Sequence, residues 1–203
     1  MSCLTGCPAS AHARATWNML SPSRLTPACR LILINMSETL TELPFGTPGR
    51  VYRSPMPFGA FDEAQDVFHQ YIQAGVKVVV MLVSDAEAQT RTGRDLRALY
   101  LHNGLQVIYM PTPDFGVPDC APFEQALSLA QAEAGSGRDL VVHCNAGIGR
   151  TGLFLACLAR RSLGMNAEQA VAWVREYIPH AVENEAQFAF IQQLDEGEGG
   201  SSC

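Results

Sequence analysis

The stretch from Leu140 to Ala159 limits the possible folds more than any other part of the chain. A short apolar run, Leu140-Val141-Val142, leads through His143-Cys144-Asn145-Ala146-Gly147-Ile148-Gly149-Arg150-Thr151 into a second apolar run, Gly152-Leu153-Phe154-Leu155-Ala156-Cys157-Leu158-Ala159. The first run has the length and β-branched content of a buried strand and the second reads as a buried helix, so the segment predicts a strand-loop-helix unit. The first turn of a helix carries unpaired backbone N–H groups and about half a unit of positive charge, which makes the intervening loop a seat for an anion. Gly147 and Gly149 let the backbone curl closely around such a ligand, and Arg150 can close the far side with a planar, bidentate guanidinium. A cysteine at a helix N-terminus beside arginine reacts as a thiolate, which makes Cys144 a candidate nucleophile.

The segment from His143 to Gly152 resembles the signature loop of the cysteine-dependent protein tyrosine phosphatases, including their dual-specificity branch, which reads His-Cys-x-x-Gly-x-x-Arg-Ser/Thr. Rhodanese-type folds also start a loop and helix with cysteine, but they lack a second element present here. Thr112-Pro113-Asp114-Phe115-Gly116-Val117-Pro118 is similar to the family's mobile acid loop, usually Trp-Pro-Asp-x-Gly-x-Pro, with Thr112 in place of the tryptophan. Read without the resemblance, Pro113 to Gly116 is a simple turn. The resemblance implies Cys144, Arg150, Asp114 and Thr151 as catalytic residues. Cys144 is the nucleophile, Asp114 the proton donor to the leaving oxygen, and Thr151 a donor to the departing sulfur. It also implies that Asn145, Ala146, Gly147, Ile148, Gly149 and Arg150 bind the phosphate.

Three supporting residues follow. His143 fixes the loop through hydrogen bonds. Glu87, chosen over Asp85, is the carboxylate that family members place to orient the arginine; a solvated loop is the competing reading. Gln187, within Ala181 to Ile191, matches the second of two glutamines that place the hydrolytic water, while the first position holds Glu183. Asp119 is the lesser acid candidate, because Asp before Cys120-Ala121-Pro122 also reads as a helix N-cap. Arg53, at a strand end, is a candidate for the substrate entrance.

Composition narrows the class. With 203 residues, 47% of them hydrophobic, the chain can bury one good core. Net charge is −6 and Lys77 is the single lysine, which argues against nucleic acid and anionic membrane as partners. No apolar run reaches membrane-spanning length. The cysteines, Cys3 and Cys7 among them, form neither a disulfide framework nor a paired zinc motif, and a thiolate enzyme needs a reducing compartment, so cytoplasm is the expected location. Neither a cofactor nor a metal is expected. Cys120 and Cys157 read as buried residues, with a resolving role for an oxidised Cys144 as the alternative.

The organisation expected is an N-terminal extension over residues 1–45, a catalytic domain over 46–195 and a tail over 196–203. Residues 1–37 hold no acidic residue but Arg14, Arg24 and Arg30, a composition that resembles a transit peptide. Met36 as the start, or disorder without function, are the other readings. Strands are expected at Arg50–Arg53, Val76–Val83, Leu105–Met110 and Arg138–His143. Helices are expected at Phe61–Gln73, Gly93–His102, Pro122–Ala134, Thr151–Leu163, Ala167–Tyr177 and Glu183–Leu194, with an Asn166/Gln169 capping box. The fold class is α/β, a mostly parallel sheet of about four to five strands flanked by helices, with the site at the strands' carboxyl ends.

The expected function is metal-independent hydrolysis of phosphotyrosine, and of phosphoserine or phosphothreonine, in a phosphorylated protein substrate through a phosphocysteine intermediate. The family's tyrosine-specific recognition loop has no counterpart here, which points to a shallower cleft. An inositol phosphate or phosphoinositide phosphatase is one alternative, although relatives of that kind carry lysines in the signature loop. An inactive phosphopeptide-binding module is the other. The residues leave the oligomeric state open.

Overall fold

Hydrophobic patterning places β5, Leu140–His143, at the middle of the sheet, since all four of its residues are buried. The computed structural model describes residues 39–194. Within them the strands are β1 Thr41–Leu43, β2 Val51–Ser54, β3 Val78–Met81, β4 Gln106–Tyr109 and β5. The helices are α1 Val67–Ala74, α2 Asp85–Thr92, α3 Leu96–His102, α4 Cys120–Gly135, α5 Gly149–Leu163, α6 Ala167–Tyr177 and α7 Glu185–Gln193. The sheet order is β1-β2-β5-β3-β4, parallel throughout except for β1, which runs antiparallel to β2.

This order decides which helices share a face. From β2 to β3 and from β3 to β4 the chain advances across the sheet, whereas from β4 to β5 it returns. Parallel crossovers are right-handed, so α1, α2 and α3 cover one face and α4 the other. The contacts agree. Tyr71 of α1 reaches Ser54, and Tyr100 of α3 reaches His143, its register neighbour on β5. On the opposite side Phe123 of α4 packs edge-on against Phe154 of α5 and Phe190 of α7, with ring centroids 5.4 and 5.2 Å apart. The reversal leaves the loop after β5 at the centre of the strands' carboxyl ends, where α/β sheets bind ligands.

Local chemistry accounts for most boundaries. Both halves of the capping box form at Asn166 and Gln169. α1 is shorter than the predicted Phe61–Gln73. Asp62, 1% exposed, accepts the N–H groups of Phe58, Asp66 and Val67 and folds the preceding residues into turns instead. α2 is a helix that the sequence reading passed over. β1 lies inside the stretch assigned to the N-terminal extension, residues 1–45, and Leu43 and Phe45 are buried there, Phe45 against Trp173 of α6. The remainder of that extension, and the tail over 196–203, fall outside the described residues.

A buried polar thread runs beneath the central strand end. The Cys144 carbonyl can only accept, so His143 Nδ1 carries the proton donated to it at 3.1 Å, and Nε2 accepts from the Tyr100 hydroxyl at 3.0 Å. Burial strips solvent from the imidazolium and pulls His143 down from 6.5 to about 4, with the bond to Cys144 opposing and the charge of Arg150 reinforcing. Between those values the unfolded chain binds a proton that the folded chain does not, so the contribution is full above about 6.5 and is lost as the pH falls toward 4. The expected loss from this group is about 3 kcal/mol. Urea unfolding at pH 7 and pH 4.5 should show a steeper acid loss for the wild type than for His143→Gln; equal losses would contradict the assignment.

Candidate active site

The loop between β5 and α5 is held from below by main-chain contacts. Leu82 N donates to His143 O at 3.0 Å, and Met56 N donates to Asn145 O at 3.0 Å. Gly147 sits at φ +73°, and a Cβ there would run into the Ser54 carbonyl. Both facts demand glycine at this turn. A Cβ at Gly149, the first residue of α5, would collide with the Glu183 carboxylate, which occupies that space. Cys144 is 3% exposed and follows the strand end, five residues before α5, whose first turn carries N–H groups without intrahelical partners.

Arg150 is buried and fully directed by its partners. Glu87 holds it bidentately, Oε2 accepting from Nη1 at 2.8 Å and Oε1 from Nη2 at 2.9 Å. Nη1 also donates to the Thr112 carbonyl at 3.2 Å, and Nη2 lies 3.0 Å from Asp114 Oδ1. Burial alone would push the Glu87 carboxyl up, but hydrogen bonds and charge from Arg150, with help from Arg91, outweigh it and hold the group below its ordinary value. Burial would likewise lower Arg150, yet Glu87, Cys144 and Asp114 raise it. Glu87 gets its place from α2, whose N-cap Ser84 accepts the Glu87 N–H at 3.0 Å. Asp85 turns away to pair with Arg97 at 2.6 Å.

The loop carrying Asp114 leaves β4 and is tied at its base, with Met110 N donating to Met81 O and Thr112 N to Leu82 O, each at 3.0 Å. Thr112 stands in for the tryptophan of the resembling loops and is itself buried. Its carbonyl, rather than a side-chain ring, meets the arginine. At the tip Asp114 also meets Arg91 at 3.5 Å, and Phe115 adopts φ 56°. Asn184 Nδ2 donates to Phe115 O at 2.8 Å.

The remaining candidates fall out as follows. Gln187 is buried with both ends of its amide engaged, accepting from Glu183 N at 2.9 Å and donating to Gly116 O at 3.4 Å. These two contacts brace the acid loop. Thr151 Oγ1 is buried with no hydrogen-bond partner among the described residues. Glu183 lies over the loop, its carboxyl raised by burial and by the charge of Asp114, with Arg150 opposing. Arg53 has a buried Nε without a partner, and Cys144 is the group that faces it electrostatically. Asp119 is the N-cap position of α4. Cys157 is sealed inside α5, where burial drives its thiol far up, and Cys120 is half-buried. Among the described residues no cluster of His, Cys, Asp or Glu is arranged to hold a metal, and no helix is long and apolar enough to cross a membrane.

Sequence reasoning missed Arg91 and Asn184. Arg91 was visible as the i+4 partner of Glu87 once a helix is admitted there. Asn184 carried only a helix-cap signal, which gives no sign of the loop it touches.

Comparison with known proteins agrees with this geometry. Residues 57–162, just over half the chain, match the family model described as Tc-R-P, polymorphic toxin system, DSP-PTPase phosphatase. The human dual specificity protein phosphatase CDC14C is 27% identical over 146 residues, covering 70% of this chain and 30% of the relative. Protein tyrosine phosphatase domain-containing protein 1 of Danio rerio is 24% identical over 140 residues, covering 65% of this chain and 20% of the relative. The chain thus spans less than a third of the length of either relative. The crystal structure of kinase associated phosphatase, with its catalytic-site cysteine replaced by serine, superposes with a TM-score of 0.72 at 19% identity, covering 80% of this chain and 97% of that one, a likeness of fold. With the phosphate-type loop, the arginine and the acid loop set on this sheet, and a family model matched across most of them, the chain belongs to the DSP-PTPase family and so to the dual-specificity-like branch of the cysteine-dependent protein tyrosine phosphatases.

Proposed function

We propose that this phosphatase hydrolyses phosphotyrosine, and phosphoserine or phosphothreonine, in protein substrates through a phosphocysteine intermediate without a metal. The observation that carries the reading is the convergence of Cys144, Arg150 and Asp114, with Asp114 3.0 Å from the arginine. Glu87 and Thr112 take three of the four Nη protons of Arg150, and Asp114 Oδ1 stands 3.0 Å from Nη2 as an ion pair. On this reading a phosphate takes the Nε–H edge and the open Nη2 position beside Asp114, and the carboxyl shifts from the guanidinium to the oxygen that must leave.

In the first step the Cys144 thiolate attacks phosphorus, a sulfur–phosphorus bond forms, and the ester oxygen departs with the proton of Asp114. The amides of Asn145 to Arg150 and the Arg150 guanidinium carry the charge on the three remaining oxygens, the positioning and electrostatic work that phosphoryl transfer needs. In the second step water attacks phosphorus, Asp114 takes its proton, and the sulfur leaves as thiolate. The unpartnered Thr151 hydroxyl is the proposed donor to that sulfur. A free nucleophilic sulfur suits a reducing compartment, and cytoplasm is the proposed location. The second reading is an inositol phosphate or phosphoinositide substrate. The unpaired, half-buried Arg53 favours it, as a cation available to a second phosphate, although the loop has no lysine.

Hydrolysis of a phosphotyrosine peptide should proceed in the presence of chelator and disappear in Cys144→Ser; retained turnover in that variant would exclude the mechanism. Asp114→Asn should lower kcat by about 10²–10⁴-fold with KM little changed. Side-by-side rates on phosphotyrosine peptide, phosphothreonine peptide and inositol phosphates decide between the two readings. For Glu87→Gln, kcat/KM should fall by about tenfold or more, as expected when a charge-assisted bond of about 1.5–3 kcal/mol is weakened. Unchanged kinetics would show that Arg150 keeps its pose without that carboxylate.

A further inference from the structure

We infer that Asn184 is a positioning residue that latches the acid loop over the catalytic loop. The inference rests on the reading of Asp114 as the proton donor, and it assigns to residues 180–187 a task that the signature motifs do not contain. Asp114 and Phe115 are exposed, with Phe115 64% accessible, so burial does little to hold the loop tip down. The tip is also strained, because Phe115 sits at φ 56°, in the left-handed region that non-glycine residues rarely enter. Such strain costs about 1–3 kcal/mol and persists only where the surroundings over-determine it.

Asn184 and Gln187 supply that over-determination. Asn184 Nδ2 donates to the carbonyl of Phe115 at 2.8 Å, and Gln187 Nε2 makes a longer contact, 3.4 Å, with the next carbonyl, that of Gly116. Asp114 is thus held through the residue that follows it, while its carboxylate reaches Arg150 on the other side.

The latch is itself rigid. His180 and Val182 have φ of 66° and 59°, and for a β-branched residue such as Val182 this is an outlier. Arg175 clamps the strained turn by donating to Ala181 O at 2.9 Å and Val182 O at 3.1 Å. Ala181 in turn lies so close to α5 that a Cβ at Gly152 would stand 2.6 Å from its own. The turn is therefore seated on the helix that carries Arg150, and the strain in it delivers one amide to the acid loop. Asparagine does two jobs there, its Oδ1 capping α7 by accepting the Gln187 N–H at 2.9 Å while its Nδ2 makes the latch.

The two jobs can be separated. Asn184→Ser keeps a good N-cap but cannot reach Phe115, and Asn184→Asp keeps the cap while replacing the donor with an acceptor. The experiment measures kcat, KM and melting temperature for both variants, for Asp114→Asn and for each double mutant, on one aryl phosphate with a good leaving group and one with a poor one. Expected for Asn184→Ser and Asn184→Asp is a kcat lower by about tenfold on the poor leaving group, a smaller loss on the good one and nearly unchanged KM, since the displaced group is the proton donor. Melting temperature should move by no more than about 2 °C, because the cap survives. In the Asp114→Asn background the effect of either substitution should vanish. Wild-type rates on the poor leaving group, or a loss that persists in full without Asp114, would overturn the latch while leaving the acid assignment standing. If Asp114→Asn alone leaves the leaving-group dependence unchanged, the acid assignment falls and the latch falls with it.

Discussion

The bidentate pairing of Arg150 with Glu87 is the interaction on which the site is built. A guanidinium that is 2% exposed would be too costly to bury alone, and the carboxylate that neutralises it comes from a helix on the opposite face of the sheet. The pair therefore crosses the carboxyl end of β3 and ties the catalytic helix α5 to α2. The position of the Thr112 carbonyl, and with it the base of the acid loop, follows from the same cation. In the proposed mechanism phosphate binding and acid placement are two uses of one oriented fork, which lysine could not supply.

Support for the loop comes from the core as well. Tyr100 and His143 fix the carbonyl of Cys144 from below, and Ser54 meets Gly147 at its backbone. Two buried side chains and one backbone carbonyl thus set the curl of the loop without depending on its exposed side chains. The same economy explains how the chain dispenses with the tryptophan of related acid loops: at residue 112 the carbonyl carries the contact.

Much of this was legible in the sequence. The strand-loop-helix unit could be read because each of its parts is local: a β-branched run, a glycine turn and an apolar helix, all within twenty residues or so. The capping box at Asn166 and Gln169 was visible for the same reason. Helix α2 was passed over although Ser84 and Glu87 have capping-box spacing, because its residues are polar and give no apolar stripe beyond Ala88. β1 was assigned to the extension because three residues are too few for an alternation to show; its place comes from pairing with β2, a non-local fact. Arg91 has a local partner in Glu87, four residues before it, but its contact with Asp114 spans 23 residues and that of Asn184 with Phe115 spans 69, and no spacing rule reaches so far.

Gly149 and Glu183 share one volume above the catalytic loop. The Glu183 carboxylate fills the volume that a Cβ at 149 would need, so any larger residue there must expel it. The colliding atoms are the end of a flexible side chain, so a larger residue at 149 is admitted once that carboxylate swings aside. Occupancy of the space above the loop is therefore decided by a movable anion rather than by the backbone.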